Sequence, residues 1–191
     1  MTIGAMARDA GDSDELVTRA RHDAEALGQL YDRHYAGVLR YCVHRLFLRE
    51  VAEDVTSQVF LDVAKRIRYF AGTTENDFRN WLYAIAGNQL RAYLRKRARR
   101  KRLLEAAVRQ GRVGVGPSAD CEGELDWPTL YQAIAALSAR EQTVITLRSF
   151  EQLPFEQIAA VLRIKPVTAR VAFSRALKKL RKRLMKSLGR T

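Results

Sequence analysis

The sequence predicts an all-α chain: two small helical domains, a three-helix-type N-terminal bundle and a C-terminal helix-turn-helix bundle, joined by a flexible linker. Three observations carry this. Apolar residues recur at the 3.6-residue helical period, while two-residue alternation and hairpin dipeptides such as Asn-Gly are missing. The pattern dissolves once, at 111–123 (GRVGVGPSADCEG), where four glycines and a proline mark a linker. The cations fall into two dense blocks, one on each side of that break. The resulting division is a flexible tail at 1–13, a first domain at 14–102, a linker at 103–125 and a second domain at 126–191.

The first helix carries an apolar stripe of Leu27, Leu30, Tyr31, Tyr35, Val38, Leu39, Cys42, Val43 and Leu46. A second, from about Val51 to Ile67, buries Ala52, Val55, Val59, Val63 and Ile67. AGTTEN interrupts it, with Gly72 as the breaking residue, and Thr74 followed by Asp77 is a short capping box for a third helix. Phe78, Trp81, Leu82, Ile85, Leu90, Tyr93 and Leu94 form its apolar face, so Trp81 belongs to the core. Tyr83 lies off that stripe and is open to either packing or stacking on a base.

Beyond the linker, Asp126 and Pro128 suit a helix start, followed by Leu130, Ile134 and Leu137. Ser138 with Glu141 is a full capping box ahead of Val144, Ile145 and Leu147. Pro154, at a first helical position, opens a short helix burying Phe155, Ile158, Ala159 and Leu162. Pro166 opens the last helix, which buries Ala169, Phe173, Ala176, Leu177 and Leu180. A short helix, a three-residue turn and a longer helix make a helix-turn-helix, whose second helix enters the DNA major groove. Arg163 and Lys165 occupy the turn and cap places where such motifs often have Gly and Ser; Lys165 has no acceptor with which to cap.

Charge narrows the function. With 34 Lys+Arg against 21 Asp+Glu, the 191-residue chain has a formal net charge of +13, which points to a polyanionic partner. RAYLRKRARRKR (91–102) holds eight cations and no acid, and 157–191 holds eleven cations and again no acid. The 103–156 stretch between them has four cations and eight acids. Two acid-free blocks imply two polyanion contacts on one chain.

Other classes are excluded on the same grounds. No apolar run approaches the ~20 residues of a membrane span, and no hydrophobic segment of a secretory signal opens the sequence, so no membrane insertion and a cytoplasmic location are expected. Cys42 and Cys121 cannot build a disulfide framework or a zinc cage; Cys42 lies on the first apolar stripe, and Cys121 is a linker thiol with no basic neighbour to activate it. His22, His34 and His44 have no i,i+4 partner, so no metal pair is read, and no carboxylate cluster stands out as an acid–base pair. Gly114 and Gly116 are not preceded by a strand, which argues against a phosphate-binding loop. The chain reads as a non-enzyme with no cofactor and no small-molecule substrate.

Three segments together resemble bacterial sigma factors of the extracytoplasmic-function (ECF) class, over roughly residues 24–185. AEDVTSQVFLDVAKRI is similar to the family's polymerase-binding helix and FRNWLYAIAGNQLRAYLRKRAR to its −10-element helix. LSAREQTVITLRSFEQLPFEQIAAVLRIKPVTARVAFSRALKKLRKRL is similar to its −35-reading domain. The resemblance implies a promoter-specificity subunit of RNA polymerase whose partners are the core enzyme, promoter DNA and an inhibitory anti-sigma protein. It places Glu53, Asp54, Gln58 and Asp62 against the polymerase clamp helices, and Asn76, Asn88, Arg91, Arg95 and Lys96 along the −10 element. The 72–77 segment corresponds to the loop that receives a flipped base. Lys165, Thr168, Arg170, Val171 and Arg175 fall on the −35 element. Ser57-Gln58 stands where the family usually has Gln-Glu, Ala92 where it often has Asp, and Val171 and Ala172 where it commonly has Ser and Arg. A stand-alone helix-turn-helix regulator that binds a palindrome as a dimer is the alternative. A DNA-processing enzyme is a third reading, for which the chain offers no nucleophile or metal cluster.

Overall fold

The computed structural model describes residues 12–109 and 128–188, and every regular element among them is helical. Helix α1 covers residues 12–19, α2 Ala24–Leu46, α3 Arg49–Arg66 and α4 Glu75–Arg109, with a 3-10 turn at Ile67–Tyr69 between the last two. After the gap come α5 Pro128–Ala135, α6 Ala139–Ser149, α7 Phe155–Leu162 and α8 Pro166–Leu188. The 1–11 tail, Cys121, Asp126 and the glycine-rich 111–123 stretch lie outside the described residues.

Local chemistry sets the boundaries. Asp23 caps α2 by accepting from the Glu25 amide at 2.9 Å, and Phe47 ends that helix in the left-handed region at φ 60°. The Thr74–Asp77 box forms in both directions: the Asp77 amide donates to the Thr74 hydroxyl at 3.1 Å, and the Thr74 amide to the Asp77 carboxylate at 3.3 Å. Those hydrogen bonds, led by the Thr74 hydroxyl, hold the Asp77 carboxyl below its ordinary pKa. Gly72 is required at the preceding bend, because a β-carbon there would collide with the Phe70 ring and stand 2.6 Å from the Asp77 β-carbon. The Ser138–Glu141 box opens α6, and Lys179 of α8 donates to the same Glu141 at 2.6 Å. Led by the Lys179 hydrogen bond, these partners pull the Glu141 carboxyl down to about 2.

Four details differ from the sequence reading. The α1 helix was not expected; it buries Leu16, Val17 and Ala20, and its Asp14 carboxylate accepts the Glu75 amide at the start of α4 (2.7 Å). Helix α4 continues to Arg109, past the expected domain end at 102. Pro154 is the N-cap of α7 rather than its first residue, its ψ of 155° being extended. Leu177 is 45% exposed, because it lies about 100° round α8 from Ala176, and Ala176 and Leu180 are the residues turned into the cluster with α5 and α6.

Leu30, Val38, Tyr41 and Cys42 of α2, Val59 and Val63 of α3, and Phe78, Leu82 and Leu90 of α4 form the core of the first bundle. Trp81 packs at its edge, stacked on Phe70 with ring centroids 4.7 Å apart. The apolar cluster then continues without a break into Val144, Leu147, Leu153, Ile158 and Ala169 of the second bundle. A smaller cluster of Ala133, Ile134, Leu137, Ile145, Ala176 and Leu180 joins α5, α6 and α8. Both bundles are present, and they lie against each other with α7 on α4 and α6 on α2.

Candidate nucleic-acid and polymerase interfaces

Helices α3 and α4 pack side by side and leave two adjoining grooves on their outer edge. Asp54, Val55 and Gln58 of α3 face Gln89, Ala92, Tyr93 and Lys96 of α4 across one of them. Asp62 and Arg66 face Asn88, Arg91 and Arg95 across the other. On the α3 side of the first groove Asp54 and Gln58 are exposed, while the neighbouring Glu53 is tied to Arg49 at 2.9 Å. Asp62 is tied down harder, accepting from Gln89 at 2.6 Å and lying 3.8 Å from Arg66.

Of the five residues expected at the −10 element, the structure brings together four. Asn88, Arg91, Arg95 and Lys96 are exposed on the stretch of α4 bordering the grooves, and Arg91 donates to the Asn88 side chain. Asn76 is separate, about 120° round the helix by the 3.6-residue repeat. Its carbonyl oxygen accepts from Arg79 at 3.0 Å and from Gln157 of α7 at 2.9 Å. Tyr69 is the most exposed aromatic here at 87%, at the end of the 3-10 turn beside the Gly72 bend. Beyond Leu94 the helix carries only exposed described side chains, with Arg95, Lys96, Arg97, Arg99, Arg100 and Arg102 pointing to several sides. That arrangement suits a polyanion rather than a packed neighbour.

In the second bundle the three-residue turn is Arg163–Lys165, and Arg163 adopts the left-handed conformation at φ 53°, ψ 49°. That geometry explains why glycine is usual there; an arginine accepts it at some cost in backbone strain. Lys165 supplies only its carbonyl, which accepts the Ala169 amide at 3.1 Å. Lys165, Thr168, Arg170, Val171 and Arg175 are all exposed at the N-terminal half of α8, the part that a helix-turn-helix presents to base edges. Arg170 rests on Glu156 at 3.0 Å with both side chains about 60% exposed, a pair that DNA phosphates can replace cheaply.

Tyr83 resolves toward packing. It is 4% exposed, meets Tyr41 edge-on at 5.4 Å and donates to Glu151 of the α6–α7 turn at 3.1 Å. Burial, reinforced by the Glu151 charge, pushes its hydroxyl well above the ordinary tyrosine range. Cys42 is buried, and burial pushes its thiol up to about 11. Among the described residues no group of His, Cys, Asp and Glu is placed to hold a metal, and no helix is long and apolar enough to cross a membrane.

Comparison with known proteins decides among the three readings. The Sigma-70 region 2 family matches residues 30–100, and Sigma-70, region 4, matches 129–180. CarQ of Myxococcus xanthus, an RNA polymerase sigma factor, is 30% identical over 164 residues, covering 84% of this chain and 90% of CarQ. The chain belongs to the ECF class of RNA polymerase sigma factors. The ECF sigma factor BldN of Streptomyces coelicolor is 32% identical over 162 residues, 81% of this chain; the match spans 61% of BldN. The sigma factor RpoE of Bartonella quintana, solved with the anti-sigma factor NepR, shares the fold with a TM-score of 0.60 at 22% identity, covering 83% of this chain and 96% of RpoE. This sigma factor therefore has the helix-turn-helix as one of two promoter-directed modules, and the stand-alone regulator is not favoured.

The sequence reading missed Arg40, Arg45, Arg79, Glu151 and Gln157, whose side chains bond across the two bundles. Each reads as an ordinary solvated polar residue, and only Tyr83, a tyrosine off the apolar stripe, hinted at a partner.

Proposed function

We propose that this sigma factor docks on core RNA polymerase through α3, with Glu53, Asp54, Gln58 and Asp62 as its contacts. Asn88, Arg91, Arg95 and Lys96 then track the backbone of the melted −10 strand, with Asn76 joining from the start of the same helix. Lys165, Thr168, Arg170, Val171 and Arg175 read the −35 duplex in the major groove. The observation that carries this reading is the exposure of Lys165 in the turn and of Thr168, Arg170, Val171 and Arg175 on α8, in helix-turn-helix geometry. An arginine there can donate two bonds to guanine O6 and N7. The protein works in the cytoplasm by positioning rather than by chemistry, and an anti-sigma protein holds it silent, as the NepR complex of RpoE illustrates for a relative.

Tethering explains why neither module needs high affinity alone. Once one contact forms, the other sits at high effective concentration, and each module neutralises few phosphates. Transcription from genomic promoters with core polymerase, with and without this chain, is the test; no added initiation at any promoter would overturn the reading. Arg170→Ala and Arg175→Ala should each relax upstream sequence preference by ~1–3 kcal/mol of base discrimination while polymerase pull-down is unchanged. Equal loss of both activities would indicate unfolding instead.

A further inference from the structure

Helix α1 is anchored by apolar contacts, and the polar groups of α1 and its following turn reach one distant segment. Leu16, Val17 and Ala20 are buried in the core of the first bundle. The Sigma-70 region 2 match begins at residue 30, so α1 and the turn after it lie outside that match. From this unit two side chains reach the bend between the 3-10 turn and α4. Arg21 Nη2 donates to the Gly72 carbonyl at 2.6 Å, 51 residues along the chain. Asp14 Oδ1 accepts the Glu75 amide at 2.7 Å, 61 residues along the chain. The neighbouring Ser13 is buried and accepts from Arg33 at 2.7 Å, and Arg33 also faces the Glu75 carboxylate at 3.5 Å.

These bonds complete the pinning of the bend. The Thr73 and Thr74 amides donate to the Asp77 carboxylate at 3.4 and 3.3 Å, and the Thr74 carbonyl accepts the Phe78 amide at 3.0 Å. The Glu75 amide is one of the donors that a helix start leaves without an intrahelical acceptor, and here a residue of another helix satisfies it. The backbone is thus held from Gly72 to Asp77, while the side chains of Tyr69 and Thr73 beside it are exposed. An aromatic ring and a hydroxyl offer what an unpaired base needs, a surface to stack on and a group for its edge. Capture by a mobile segment would carry the entropic cost of ordering its backbone at the moment of binding. Here folding has already met that cost.

We propose that α1 braces this segment, with Arg21 and Asp14 as positioning residues that hold it ready for one unpaired base of the −10 strand. The proposal rests on the −10 reading above, in which the start of α4 joins the melted strand. Neither residue touches DNA. Arg21 acts through the Gly72 carbonyl, and Asp14 through the Glu75 amide.

The test uses full-length chains assembled with core polymerase. Its probe is the non-template −10 strand of a promoter found by the transcription assay above, with each position replaced in turn by an abasic site. For wild type, one position should stand out, its abasic form binding roughly tenfold more weakly in fluorescence anisotropy, the worth of a stacked base. Arg21→Ala and Asp14→Ala should each weaken binding of the intact strand by roughly three- to tenfold, the worth of one hydrogen bond. Binding of the strand abasic at that position should stay as in wild type, so the contrast there shrinks while the others hold. Asp14→Asn keeps the acceptor oxygen and should restore the wild-type pattern. Circular dichroism and polymerase pull-down check that each variant is folded and captured; should Asp14→Ala lose its fold, Arg21→Ala, at a half-buried turn position, carries the test. A fall shared equally by intact and abasic strands, or no fall, would overturn the positioning role while leaving base capture in place. A wild type with no distinctive position would overturn base capture itself, and the positioning role with it.

Discussion

Helix α4 presents two faces that are about a third of a turn apart and are treated in opposite ways. Asn88, Arg91 and Arg95 stand in an open groove with no element over them. Asn76, Arg79 and Tyr83 lie under α7 and the α6–α7 turn, each bonded to the second bundle. Both faces are polar, so composition does not separate them. The difference lies in what the neighbours offer: the covered face meets a carboxylate and an amide placed to accept, and the open face, bordered by Asp62 and Arg66, has among the described residues only the Gln89–Asp62 and Arg91–Asn88 side-chain bonds. Polar residues on a helix therefore report a need for partners, and the fold decides whether those are intramolecular or external.

The hardest blow to this comparison would come from beneath both faces. Leu82 is fully buried in the α4 core, and Leu82→Ala should cost ~3–4 kcal/mol in urea unfolding, through lost transfer energy and the cavity left behind. Both faces should fail together, with polymerase binding and bundle closure declining in parallel. Retention of one with loss of the other would show that the faces do not share a support.

A proton distinguishes them next. His34 on α2 lies against Phe78 and faces Glu75 at 3.5 Å, with Arg33 and Arg79 nearby. Burial, the largest influence, holds its pKa at about 4 against an ordinary 6.5; Glu75 opposes the shift, and the two arginines add to it. A histidine with a depressed folded pKa favours the neutral form, so its full stability is present above about pH 6.5. Stability should fall as the pH drops from about 6.5 to 4, by up to ~3 kcal/mol, because the unfolded chain takes the proton first. Chemical denaturation across that window measures it, and His34→Gln should flatten the slope. A wild-type profile already flat there would place His34 in contact with water. Arg79 is shared between this site and Gln157, so the acid response should also loosen the covered face.

The helices and their ends were legible because period and capping are local. Thr74–Asp77 and Ser138–Glu141 formed as their spacing required, and the three-residue turn appeared where Arg163 and Lys165 replace the usual Gly and Ser. The α1 helix was not legible, because Leu16, Val17 and Ala20 offer barely one turn of pattern and are held by contacts made far along the chain, such as Asp14 to Glu75. The open face could be read by resemblance, since motif positions transfer with their exposure. The covered face could not. Glu151, Gln157 and Arg40 resemble any solvated side chain, and their meeting depends on packing between segments 68 to 111 residues apart.

The smallest change in stability should come from the open faces, where it separates function from folding most cleanly. Asp54 is exposed and no ion pair or hydrogen bond to it exists among the described residues. Asn88 is exposed and bonded only to Arg91. Asp54→Ala and Asn88→Ala should each shift unfolding by no more than ~0.5 kcal/mol, the range of surface substitutions without special contacts. Their activities should nevertheless diverge. Asp54→Ala should weaken capture by core polymerase in a pull-down, and Asn88→Ala should leave capture intact while lowering strand opening at the promoter, read by permanganate footprinting of unpaired thymines. Such a split would show that the two grooves of the α3–α4 edge serve different partners though they share Gln89 and Ala92. Loss of capture in both variants would merge them into a single polymerase surface and move the −10 contacts elsewhere on the helix.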